Sequence, residues 1–170
     1  MNLERRCLIL DRSATASHIP LLVRLFDLSE GDVLEIGTGY FSTLLLHWLA
    51  HIYKRNVYSY ENDPYWYKRA LKANSKYHRV IMVNNWDDLP VDRHWGLVFV
   101  DHKPGERRSM EVKRFAKNAD YILIHDTEPE NEKEYHFSEI WPLFKYVYHQ
   151  KKTLPWTSAV SNFKNLKDIK

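Results

Sequence analysis

The stretch Val33-Leu34-Glu35-Ile36-Gly37-Thr38-Gly39-Tyr40-Phe41-Ser42-Thr43 constrains this chain more than any other. An apolar strand runs into two glycines and then into a strongly apolar helix. Glycine admits positive φ and close backbone approach, and a helix that starts directly after such a turn aims unpaired amide hydrogens at whatever lies over it. Ser42 or Thr43 is placed to cap that helix. Two cofactor classes use such a turn, and the residue types separate them. A dinucleotide turn carries a third glycine three positions on, where this chain has Ser42. Glu35, two residues before Gly37, would repel a pyrophosphate and suits a ligand with ammonium and sulfonium charge. A tight strand-to-helix turn with no ligand is the alternative.

A chain of 170 residues fits one domain, large enough to bury about 70% of its unfolded surface. A single α/β unit over residues 1–170 is expected, with 1–30 as an N-terminal loop and helix and 31–170 as the core. The 25 basic and 22 acidic residues are mostly interspersed and leave a formal charge of +3, too mild to argue for nucleic acid. Cys7 is the only cysteine, so neither an intrachain disulfide nor a cysteine zinc cluster is expected, which fits a reducing cytoplasm. No apolar run approaches the roughly 18 to 20 residues that cross a bilayer, and the start, Met1 to Arg6, lacks a signal peptide's apolar core. A cytoplasmic protein with no membrane partner is the expectation. Six Trp and eleven Tyr are read chiefly as core packing.

In chain order, the apolar run 7–10 precedes a polar loop, 11–18, and a helix with Pro20 in its first turn and Ile19, Leu22, Val23 and Phe26 at helical spacing. The loop is a candidate lid, with solvated linker as the alternative. Residues 32–36 form the first strand, and Leu44, Leu45, Leu46, Trp48, Leu49 and Ile52 make a helix expected to be buried all round. A second strand, 56–60, ends in Glu61-Asn62, and Asp63-Pro64 opens the next helix. Glu61 lies 22 residues beyond Gly39, close to the spacing of roughly 20 at which a nucleotide-binding sheet places its ribose carboxylate. Residues 78–83 read as the third strand, followed by a loop in which Trp86 and Asp87 offer an adenine ring a flat neighbour and a polar edge. The fourth strand, 96–100, ends in Asp101-His102-Lys103-Pro104, near the switch point beside Glu35. Next come a helix over 105–118 with a solvated basic face that includes Arg107 and Arg108, a fifth strand, 121–124, ending in His125-Asp126-Thr127, and a helix over 129–142. Residues 143–148 and 157–163 read as two strands joined too closely for a crossover helix, hence antiparallel neighbours.

With Glu35, Gly37, Gly39 and Glu61 in these places and a terminal hairpin, the chain resembles the class I S-adenosylmethionine-dependent methyltransferases, in a minimal single-domain form similar to the catechol-type small-molecule O-methyltransferases. The resemblance implies a Rossmann-like three-layer α/β sandwich whose seven-stranded sheet has the order 3-2-1-4-5-7-6, with the last strand antiparallel. It implies S-adenosylmethionine as cofactor. Glu35, Gly37 and Gly39 would meet its methionine end, Glu61 its ribose, and Trp86 and Asp87 its adenine, with Thr38, Tyr40, Phe41, Asn62 and Asp101 also touching the cofactor. In catechol-type enzymes the aspartate at Asp101 and a fifth-strand Asp-Asn pair bind magnesium. Here Thr127 follows Asp126, so no metal is expected, and Asp101 and Asp126 are its donors if one binds. The Asn/Asp-Pro-Pro-Tyr signature of amino-directed nucleic-acid methyltransferases is absent, which points to oxygen as the acceptor. His102 is the expected general base, with Asp101 beside it and His125, Lys103 and His18 behind it. A small, aromatic hydroxyl compound is the expected partner of a monomer or homodimer. N-methylation of a small amine and a catalytically silent cofactor-binding protein are the alternatives.

Overall fold

The computed structural model describes residues 16–169; the run 7–10 and residues 11–15 of the expected lid lie outside the described residues. Seven strands form one sheet: β1 (Val33–Ile36), β2 (Val57–Glu61), β3 (His78–Met82), β4 (Trp95–Val100), β5 (Ala119–His125), β6 (Tyr146–Gln150) and β7 (Thr157–Ser161). Their order is β3-β2-β1-β4-β5-β7-β6. The pairs from β3 to β5 are parallel, and β7 runs antiparallel to both neighbours. Sheet order and reversed strand are those the resemblance implied.

Side chains alternate across the sheet, and the alternation sorts the core in two. Leu34, Ile36, Val98, Val100, Ile122 and Ile124 join Trp86, Val112, Phe115 and Phe137 on one face. Val33, Val57, Leu97, Phe99 and Leu123 join α1 (Ile19–Leu28) and α2 (Ser42–Tyr53) on the other. In α1 the buried stripe is Leu21, Leu22, Leu25 and Phe26, while Val23, expected inside, is exposed. The helix α3 (Pro64–Ala70) starts as expected, with the Asp63 carboxylate accepting from the Tyr65 and Trp66 amides. Among the described residues no helix is long and apolar enough to cross a membrane.

Three expectations need correction. The apolar helix α2 is not buried all round, because Leu44, Trp48 and Ile52, at successive four-residue steps, are 55%, 62% and 70% exposed. The expected basic helix is shorter, a 3-10 turn (Gly105–Arg107) followed by α4 (Arg108–Phe115), and its face is not simply solvated because Arg108 is buried. The stretch 129–142 breaks into short turns around α5 (Glu132–Tyr135), since His136 takes a left-handed conformation at φ 53° that ends the helix.

Candidate active site

All the carboxyl ends of β1, β2, β4 and β5 open on one cleft of about 930 Å³, within the range of small-molecule sites. At its β1 side the chain turns through Gly37 at φ 88°. A Cβ there would lie 2.5 Å from His102 Cα and 2.6 Å from Asp101 O, so only glycine lets β1 and β4 end this close together. Gly39 does not take positive φ. Neither Ser42 nor Thr43 caps α2; Phe41 holds the cap position with no side-chain bond. Thr43 instead accepts from the Gly39 amide at 3.0 Å, and its hydroxyl sits 3.0 to 3.1 Å from both Glu35 oxygens. Ser59 also donates to Glu35 and lies 2.7 Å from His78 Nε2.

Glu35 is therefore a buried girder of the turn rather than a cleft residue. Burial pushes its carboxyl up to about 7, against the opposing hydrogen bonds from Ser59, Ser42 and Thr43. Glu61, at the end of β2, does line the cleft. Its Oε2 accepts from the Thr38 amide and hydroxyl at 2.7 and 2.8 Å, and Oε1 accepts from the Asn62 and Asp63 amides at 2.9 Å each. Thr38, Gly39, Tyr40, Phe41 and Asn62 line the same wall.

The β4–β5 side carries formal charge. Arg108 enters from the start of α4 and lies 2.9 Å from Asp101 Oδ1 and 2.9 Å from Asp126 Oδ2. It also donates to the His102 and His125 carbonyls, and the Tyr135 ring covers it at 4.9 Å. A magnesium ion shared by Asp101 and Asp126 would have to displace this guanidinium from both. His125 Nδ1 lies 3.3 Å from Asp101 Oδ2 and 3.2 Å from Asp126 Oδ1, and Nε2 lies 3.0 Å from Ser17 Oγ. Burial disfavours charge on both members of the His125–Asp101 pair, but their mutual attraction outweighs it: the imidazole is raised and the carboxyl lowered from their ordinary ranges. His18 packs at the same wall, 4.8 Å from the His125 ring, and burial lowers it to about 4.

Several expected residues do not reach the cleft. His102 and Asp101 are neighbours in sequence and so point to opposite faces. His102 is 1% exposed with its ring 4.6 Å from Trp86, and burial lowers it to about 3. It is not placed to serve as the base. Trp86 is a core residue, 3% exposed, whose indole donates to the Lys103 carbonyl, so its face cannot stack on adenine. Asp87 turns outward to Arg107. His125, Lys103 and His18, which stood behind His102 as bases, do line the cleft. Arg108 was the residue of this site that the sequence concealed, hinted at only by a charge at a helix start facing two strand-end acids.

This sheet order and glycine turn make up the fold of the class I methyltransferases. No protein-family model matches the chain, and no curated protein matches it in sequence. Solved structures do share its fold. An O-methyltransferase from Bacillus cereus in complex with S-adenosylhomocysteine is 17% identical with a TM-score of 0.63, over 86% of this chain and 80% of that one. A candidate O-methyltransferase from Klebsiella pneumoniae is 15% identical with a TM-score of 0.64, over 88% and 80%. The METTL16 methyltransferase domain is 15% identical with a TM-score of 0.58, over 86% and 84%.

Proposed function

We propose that this protein is an S-adenosylmethionine-dependent methyltransferase that acts on a hydroxyl of a small aromatic molecule. The cleft residues fit the cofactor's nucleoside end: Glu61 already holds a hydroxyl, that of Thr38, where a ribose hydroxyl would be accepted. Gly39 opens the backbone beside it, and Pro64 and Trp66 continue that wall. When bound, S-adenosylmethionine supplies a methyl group activated by a sulfonium centre.

The observation that carries the hydroxyl assignment is the row Ser17 Oγ, His125, Asp101. It is a hydroxyl held against an imidazole that a carboxylate orients, at the wall of the same cleft. An acceptor hydroxyl taking the place of Ser17 Oγ would give its proton to His125 Nε2, and Asp101 would steady the imidazolium through Nδ1. Arg108 holds Asp101 in the orientation this needs. Tyr135, Tyr40 and Phe41 give the cleft an aromatic border, and most of the rate would come from positioning in a water-poor site. Since the base must be unprotonated, and His125 is raised, turnover should rise with pH through a midpoint above about 6.5.

Transfer of a labelled methyl group to a panel of phenols, carboxylic acids and amines tests this. His125→Gln should lower turnover by about 100- to 10,000-fold and leave S-adenosylhomocysteine affinity within a few-fold, whereas His102→Phe should stay near wild type. Label arriving only on amines, or a His125→Gln protein with normal turnover, would overturn the assignment.

A further inference from the structure

We infer that His18, Asp101 and His125 form a zinc site at the β4–β5 wall of the cleft. Each offers one ligand atom, and these atoms lie within 4.8 Å of one another. One edge is already set: His125 Nδ1 and Asp101 Oδ2 are 3.3 Å apart, close to the roughly 3.4 Å edge of a tetrahedron built on metal bonds of about 2.0 to 2.1 Å. The second observation is His18 itself. Its ring is 1% exposed, yet neither nitrogen meets a hydrogen-bond partner among the described residues, an exception to the rule that buried polar atoms are paired. Turning that ring toward the other two ligands breaks no hydrogen bond.

The surroundings are those a zinc ligand set needs. Ser17 Oγ at His125 Nε2 supplies the outer hydrogen bond that orients a metal-bound imidazole. Arg108 grips Asp101 through Oδ1 and leaves Oδ2 facing the histidines. Two imidazoles and one carboxylate suit a borderline cation, whereas magnesium prefers an all-oxygen shell. All three residues line the cleft, so a fourth coordination position would face it, as in sites that bind a substrate atom. The site shares Asp101 with the adjoining space that Arg108 fills between Asp101 and Asp126, but uses the other oxygen of that carboxylate, Oδ2. Zinc on Nδ1 would fix the remaining imidazole proton on Nε2 and silence the base; that consequence rests on the methyl-transfer proposal, while the binding does not.

The test is titration of the whole protein with cobalt(II), followed by its visible absorption, and displacement by zinc; it needs neither cofactor nor acceptor. One equivalent of cobalt should bind with the strong visible band of four-coordination, and one equivalent of zinc should abolish it. His18→Phe should weaken binding by more than about 100-fold, beyond the 10- to 100-fold expected for Ser17→Ala, which removes only the outer hydrogen bond. The exposed-histidine variants His51→Ala and His94→Ala should bind as wild type. No bound equivalent, or cobalt binding that survives His18→Phe or is lost in His51→Ala or His94→Ala, would overturn the site.

Discussion

The two sides of the cleft hold acids of the same kind at equivalent strand ends and treat them in opposite ways. On the β1–β2 side, the hydrogen-bond partners of Glu35 and Glu61 among the described residues are amides and hydroxyls, and burial pushes Glu35 up to about 7. On the β4–β5 side, Arg108 and His125 face Asp101 and Asp126, and Asp101 is held below the ordinary carboxylate range despite its burial. A strand-end acid is thus not a functional label. With neutral donors it builds a turn or receives a neutral ligand; with a guanidinium and an imidazole it becomes part of a charge system able to receive a proton.

The largest effect separating the two sides should come from Arg108→Met. It leaves two carboxylates at a nearly closed site without their shared cation, and removing one partner of a buried ion pair costs about 3 to 5 kcal/mol. Chemical denaturation at pH 7 would measure it. A loss below about 1 kcal/mol, the level of a surface pair, would mean that the β4–β5 acids do not depend on this charge.

Glu35→Gln probes the other side, through pH. Between about pH 4.5 and 7 the unfolded chain ionises Glu35 while the folded one keeps the proton, so the folded state binds more protons and loses stability as pH rises. The shift corresponds to something on the order of 3 kcal/mol. Buried His18, His78 and His102 are lowered and act in the opposite sense, stability rising with pH from their folded values up to about 6.5. They are common to both proteins, so the difference between wild type and Glu35→Gln isolates the carboxyl. The variant should gain on wild type as pH rises from 4.5 to above 7; parallel curves would show Glu35 to be ionised throughout.

How much of this the sequence could reveal follows the same division. On the β1–β2 side the tight turn at Gly37 and the place of Glu61 at a strand end on the cleft were legible, because backbone freedom and spacing are recorded in a linear pattern; Gly39 was read with Gly37 yet does not take positive φ. The order of the sheet followed from the family resemblance, while the antiparallel pairing of the last two strands was legible through the short 151–156 link, which has no room for a crossover helix. The role of Glu35 was not, since its partners Thr43 and Ser59 come from α2 and β2 and turn it away from the ligand. On the β4–β5 side the sequence favoured His102 over His125, although strand alternation sets Asp101 with Phe99 on the α1 face and His102 with Val98 and Val100 on the face of Trp86. Arg108 was hidden among the basic residues of one helix, and only the close approach of its first turn to two strand ends distinguishes it. Trp86 was read as a neighbour of an adenine ring because it stands in a polar loop after a strand, yet its ring fills the core under His102.

The central claim, that the β1–β2 side holds the nucleoside end of S-adenosylmethionine through Glu61, has a direct calorimetric test. S-adenosylhomocysteine should bind wild type one to one and NAD should not bind. Glu61→Ala should weaken S-adenosylhomocysteine by about tenfold or more, the 1.5 to 3 kcal/mol of hydrogen bonds to a charged acceptor. Unchanged affinity in a folded Glu61→Ala protein, or NAD binding more tightly than S-adenosylhomocysteine, would contradict it.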